Sequence, residues 1–133
     1  MARSRNIKPG FFTNEVLGQL PPLSRLLFAG MWCHADREGR LEDRLIRLKP
    51  QILPYDDGDL EPLAQALHDA GMILRYVVDG KRYIQIMNFL KHQNPHIKEQ
   101  PSTIPAPDMH QTCMEVARLI PSSLIPDSLN PIS

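Results

Sequence analysis

Apolar positions recur at helical spacing in two stretches of this chain, and strand-like runs flank a turn in a third. After Pro21-Pro22, the residues Leu23, Leu26, Leu27, Gly30, Met31 and His34 line up on one side of a helix, and Phe28 and Trp32 add a second stripe. Proline suits a first helical turn because its missing N–H has no partner there in any case. Gly30, inside this helix, costs about 1 kcal/mol in propensity, which predicts a close helix contact at that point. The second helical stripe is Leu60, Leu63, Ala64, Leu67 and Ala70. Asp59 precedes it as a cap, Glu61 suits the positive end of its dipole, and Gly71 stops it. Between the two helices, Asp36 to Arg40 reads as a tight turn and Gly39–Glu42 as a short edge strand. Asp43 to Leu53 is a basic segment with Leu45, Ile46, Leu48 and Ile52 on its apolar side, and Pro50 and Pro54 limit its length. Two strands, Met72–Val78 and Arg82–Met87, are expected to pair across Asp79-Gly80-Lys81.

The order helix, strand, helix, helix, hairpin predicts an α+β fold, mainly α. It is that of a winged helix-turn-helix with a C-terminal β-hairpin wing. Residues 1–19 form an N-terminal arm, and 20–100 the winged-helix domain. Residues 101–133 form a Pro-rich tail with six prolines and a weak helix near 108–119. Within the arm, Phe11-Phe12 are expected to dock on the core and Thr13 to Leu17 to make one helical turn. Such folds bind a nucleic acid backbone or a protein and rarely do chemistry, so function is sought in binding.

Composition narrows the setting. A chain of 133 residues with 42% hydrophobic content can bury one compact core. No apolar run approaches the ~20 residues of a membrane span, and no apolar stretch follows the basic N-terminus as a secretory signal would require. Cys33 and Cys113 are too few for a disulfide framework, and a cytoplasmic setting is expected. The net charge of zero hides segregation: +4 over residues 1–50, −5 over 51–71, +3 over 72–100 and −2 over the remainder.

Catalytic signatures are missing. There is no GxxxxGK[ST] and no GxGxxG loop, and Ser/His/Asp catalysis has no local motif. Cys33-His34 with His92 and His96 fits no zinc-finger spacing, and Pro95 breaks the helix that a His-x-x-x-His pair needs. The carboxylates Asp56, Asp57 and Asp59 lack the remaining ligands of a calcium loop. The chain is therefore expected to be no enzyme and to hold no metal and no cofactor.

Three stretches carry a likeness to a known family. They are Ala2 to Phe12 (ARSRNIKPGFF), Leu26 to Leu41 around Trp32-Cys33-His34-Ala35-Asp36-Arg37-Glu38-Gly39-Arg40-Leu41, and Lys91-His92-Gln93-Asn94-Pro95-His96. Over about residues 1–107 the chain resembles the N-terminal winged-helix domain of phage-type replication initiation or replisome-organiser proteins. The resemblance implies a role in starting phage or prophage DNA replication, with the phage origin as the DNA partner.

On the usual helix-turn-helix reading, the Leu60–Ala70 helix would enter the major groove. Its outward residues are expected to be Glu61, Gln65, His68 and Asp69, a surface that phosphates repel. The better candidates are basic. Arg44, Arg47 and Lys49 precede that helix, Lys81 and Arg82 sit on the wing, and Arg3, Arg5 and Lys8 sit on a flexible arm. Lys91, His92, His96 and Lys98 follow the last strand. Sequence readout is expected from the 44–49 segment. Two alternatives stand beside DNA binding: a protein–protein interaction module of a phage replisome, and a transcriptional regulator. The acidic helix and the apolar stripe of the 108–120 segment (Met109, Cys113, Val116, Ala117, Ile120) favour a replisome partner or self-association.

Overall fold

The computed structural model describes residues 2–95 and 98–107. The expected helix and tail stripe between 108 and 120, and His96, lie outside the described residues. Within them the chain is an α+β fold with six helices and one three-stranded antiparallel sheet. The helices are α1 (Gly10–Thr13), α2 (Glu15–Gly18), α3 (Pro22–His34), α4 (Leu45–Ile52), α5 (Glu61–Asp69) and α6 (Phe89–His92). The strands are β1 (Arg40–Glu42), β2 (Ile73–Val78) and β3 (Lys81–Ile86), in the order β1-β3-β2.

Each element forms for a local reason. Pro22 opens α3 as its first residue, and the helix buries Leu27, Phe28, Met31 and Trp32. Gly30 lets α4 approach: a Cβ there would collide with Cγ2 of Ile52. That close contact is the one its cost predicts. Pro50 lies inside α4, where it removes the N–H that would bond the carbonyl of solvent-facing Ile46. Ahead of α5, Asp59 Oδ1 accepts from the Glu61 N–H at 2.9 Å. Gly71, at φ +78°, follows the helix. In the hairpin, Val78 pairs with Lys81, and Asp79 and Gly80 both take positive φ, as a two-residue type I′ turn requires.

The sheet has two different faces. Ile73, Arg75 and Val77 of β2 share one face with Ile86, Ile84 and Arg82 of β3 and with Leu41 of β1. Its Ile73, Ile84, Ile86 and Leu41 join α3 and α5 in the core. Leu74 and Tyr76 are on the other face, and they are buried too. Part of the chain after the hairpin covers them: Tyr76 donates its hydroxyl hydrogen to the Pro105 carbonyl at 2.7 Å, and Arg40 reaches the Ile104 carbonyl. Ser102 donates to Asp36, and Arg37 to the Glu99 carbonyl. The described part of the Pro-rich tail, 101–107, is therefore bound to the domain rather than free of it. Burial pushes the Tyr76 hydroxyl up to about 12.

Candidate nucleic-acid interface

The N-terminal arm is tied down by its own arginines. Arg5, with only 4% of its side chain exposed, donates to the carbonyls of Trp32 and Ala35 at the end of α3 and forms a two-pronged pair with Glu99. Its guanidinium also lies 5.2 Å from the centroid of the Phe89 ring. Arg3 donates to the Ala35 carbonyl and pairs with Glu99 at 3.3 Å. The cationic groups thus satisfy the free carbonyls at the negative end of α3. Expected on a flexible arm, Arg3 and Arg5 instead serve the fold. Asn6 completes the attachment. Its N–H donates to Gln93 Oε1 at 2.9 Å, and Gln93 Nε2 donates back to its carbonyl at 2.7 Å.

A second polar centre joins the sheet to the helices. Arg75 grips the buried Asp43 carboxylate at 2.7 and 3.3 Å, Glu61 at 2.8 and 2.9 Å, and Gln65 at 3.0 Å. Burial works against the charge of Arg75, but its hydrogen bonds to Glu61 and Asp43 more than offset this and hold the guanidinium protonated. The same hydrogen bond from Arg75 holds the Glu61 carboxyl below its ordinary value. His68 is buried and accepts from the Arg75 N–H through Nδ1 at 3.0 Å. It therefore does not project outward from α5 as the helical pattern suggested. Glu61 and Gln65 are engaged with Arg75, and Gln65 also donates to Asp69.

The remaining basic residues fall into two groups at opposite ends of β3. At the wing end, Lys81 and Arg82 are exposed. They point to opposite faces: Arg82 shares the helix-side face with Val77, and Lys81 pairs with Val78 on the other. The Asp43 N–H donates to the Arg82 carbonyl at 3.0 Å, so Arg44 at the start of α4 stands beside the wing. Arg44 is half-exposed, 3.7 Å from Glu42. Arg47 is exposed one turn further along α4, while Lys49 bonds the Asp56 carbonyl at 2.7 Å. At the far end, Lys8 Nζ reaches the Lys91 carbonyl at 3.4 Å, and Lys91 and His92 are exposed on α6. Lys98 is exposed next to Glu99.

A cleft of about 430 Å³ opens at this far end. Phe11, Phe28, Trp32 and Met87 supply much of its apolar wall, and Lys8 and His92 line it as well. Phe11 stands edge-on to Trp32 at 5.2 Å, and Trp32 edge-on to Phe28 at 5.2 Å. Phe11 thus docks as its aromatic character predicts, but Phe12 remains 70% exposed. Composition gave no signal for the cleft, because its wall comes from α1, α3, β3 and α6.

Among the described residues, no group of three or more His, Cys, Asp and Glu is arranged to hold a metal ion, and no helix is long and apolar enough to cross a membrane. No known protein family, curated protein or solved structure matches this chain.

Proposed function

We propose that the chain is the DNA-binding winged-helix domain of a phage or prophage replication initiation protein, and that it holds the phosphate backbone from the wing end. The element order and the sheet order β1-β3-β2 are compatible with a winged helix. One observation carries the reading. The hydrogen bond from the Asp43 N–H to the Arg82 carbonyl brings the wing to the start of α4, so Arg44, Arg47 and Arg82 can act together, with Lys81 at the tip. Arg and Lys bind phosphates without regard to sequence and release counterions. The usual recognition helix, α5, is a poor reader here. Its Glu61 is anionic and its Gln65 is already bonded to Arg75 and Asp69. Readout of bases therefore falls to α4, and the mechanism is passive: the domain marks DNA, and partners assemble on it.

Fluorescence anisotropy of labelled duplex DNA over a salt series tests this. Lys81→Ala/Arg82→Ala and Arg44→Ala/Arg47→Ala should each weaken binding and flatten the salt slope by about 0.9 per lost phosphate contact. Absence of duplex binding at low salt would defeat the reading. A second reading, a protein-interaction module, is favoured by Ile46 at 86% exposure and Tyr55 at 97%, both in the segment before α5.

A further inference from the structure

We infer that the cleft between α1, α3 and α6 is a second nucleic-acid site, which takes an unstacked base of a single strand while Lys8, Lys91 and His92 hold its phosphates. The inference rests on the nucleic-acid reading above but uses other residues, at the opposite end of β3.

Three observations converge. The first is shape and chemistry. The cleft holds about 430 Å³, within the range of small-ligand sites, and its wall is built from aromatic and thioether side chains. Flat heteroaromatic rings suit such walls, because every base presents a π-face whatever its sequence. The second is charge complementarity. None of the residues lining the cleft is Asp or Glu, while Lys8 and His92 line it and Lys91 is held next to Lys8. An acidic ligand with an apolar ring matches that pattern, and a neutral apolar ligand leaves the cations unused. The third is Phe12. It is 70% exposed, and its ring stands edge-on at 5.2 Å to Phe11, which lines the cleft, so an open aromatic face adjoins the cleft wall. A large aromatic left open beside lysines is the arrangement that single-strand binders use.

The rest of the region supplies rigidity. The arm that carries Lys8 and Phe11 is fastened by Arg5 to the end of α3 and by Asn6 to Gln93. These residues are therefore held in place before a strand arrives, which lowers the ordering cost of binding.

Trp32 makes the test direct, since it is the only tryptophan in the chain and lies in the cleft wall. The full chain is titrated with a short oligothymidylate and with a duplex, following Trp32 emission and the anisotropy of labelled DNA. The strand should alter Trp32 emission and the duplex should not. Phe12→Ala and Lys8→Glu change exposed side chains, so both should fold, as checked by circular dichroism. Phe12→Ala should weaken the strand about tenfold or more, in line with the loss of one stacked base. Lys81→Ala/Arg82→Ala should weaken the duplex and leave the strand unchanged, which separates the failure of this site from failure of the wing. The inference is overturned if the strand does not bind, if Trp32 emission is unchanged at saturation, or if both cleft variants bind the strand like the unaltered chain. Self-association that depends on Phe12, without strand binding, would overturn it too and make the cleft a contact between copies.

Discussion

Arg75 and Asp43 form a buried two-pronged ion pair, with Arg75 Nε 2.7 Å from Asp43 Oδ2. Only 3% of the Asp43 side chain is exposed, and Arg75 is its ion-pair partner there. Removing Arg75 strands the Asp43 carboxylate in a dry site, whereas Arg75 without Asp43 keeps Glu61 and Gln65. Arg75→Ala should destabilise the fold by about 3–5 kcal/mol. Asp43→Ala should cost less, because Glu61 and Gln65 still hold Arg75, and the double variant should cost clearly less than the two together. Urea unfolding of the four proteins checks this; additive losses would mean that the pair is not coupled.

Glu61 shares the same guanidinium from the exposed side. Its hydrogen bond to Arg75 holds its carboxyl below 4.5, the ordinary value. The unfolded chain then binds the proton first as the acid rises, so this contribution is complete above about 4.5 and is lost as pH falls through the lower, folded value. Glu61→Gln should be less stable than the parent at neutral pH, by about 1 kcal/mol or less for so exposed a pair. The gap should close on acidification below 4.5. A difference that persists unchanged into strong acid would remove charge as the cause.

His34 behaves in the opposite chemical sense but moves stability in the same direction. Burial lowers its pKa from 6.5, because desolvation disfavours the imidazolium. The unfolded state therefore binds the proton first, and stability falls as pH drops below 6.5. His34→Gln should flatten thermal stability over that interval, and melting curves at stepped pH will read it.

Gly30 faces Ile52 with no room for a methyl group. Ile52 is β-branched and stiff near its backbone, so it cannot swing clear. Gly30→Ala should cost about 1–3 kcal/mol through overpacking. Adding Ile52→Ala should return part of that loss. If Gly30→Ala instead stabilises the protein through its better helix propensity, α3 and α4 are further apart than described.

Gln93 acts as a short piece of backbone: its carboxamide makes both hydrogen bonds that a paired strand would offer Asn6. Gln93→Ala should release the arm before it unfolds the domain. Trypsin cleavage after Arg3 and Arg5, slow in the parent, should then become fast while the melting temperature falls only modestly. Equal cleavage rates would mean that the arginines alone secure the arm.

Much of the architecture was legible because it rests on short-range rules. Pro22 begins a helix, Asp59 and Gly71 bound another, and Asp79-Gly80 turns a hairpin, each through backbone geometry that a few neighbouring residues impose. The cost of Gly30 even announced a close contact, although not with which residue. The roles of the charged residues were not legible in this way. Arg5 and Lys8 are both basic residues of one arm, yet Arg5 is buried against Glu99, 94 positions away, and Lys8 faces an open cleft. His68 falls on the polar side of its helix by spacing, but β2 covers it. The sequence by itself determined the longer elements, their order and the hairpin, but not the short α1 and α6, because propensity, capping and periodicity act over a few residues. Only the tertiary structure decided which cations serve the fold and which face solvent, because an ion pair or a cleft wall joins residues whose separation along the chain carries no information about their distance in space.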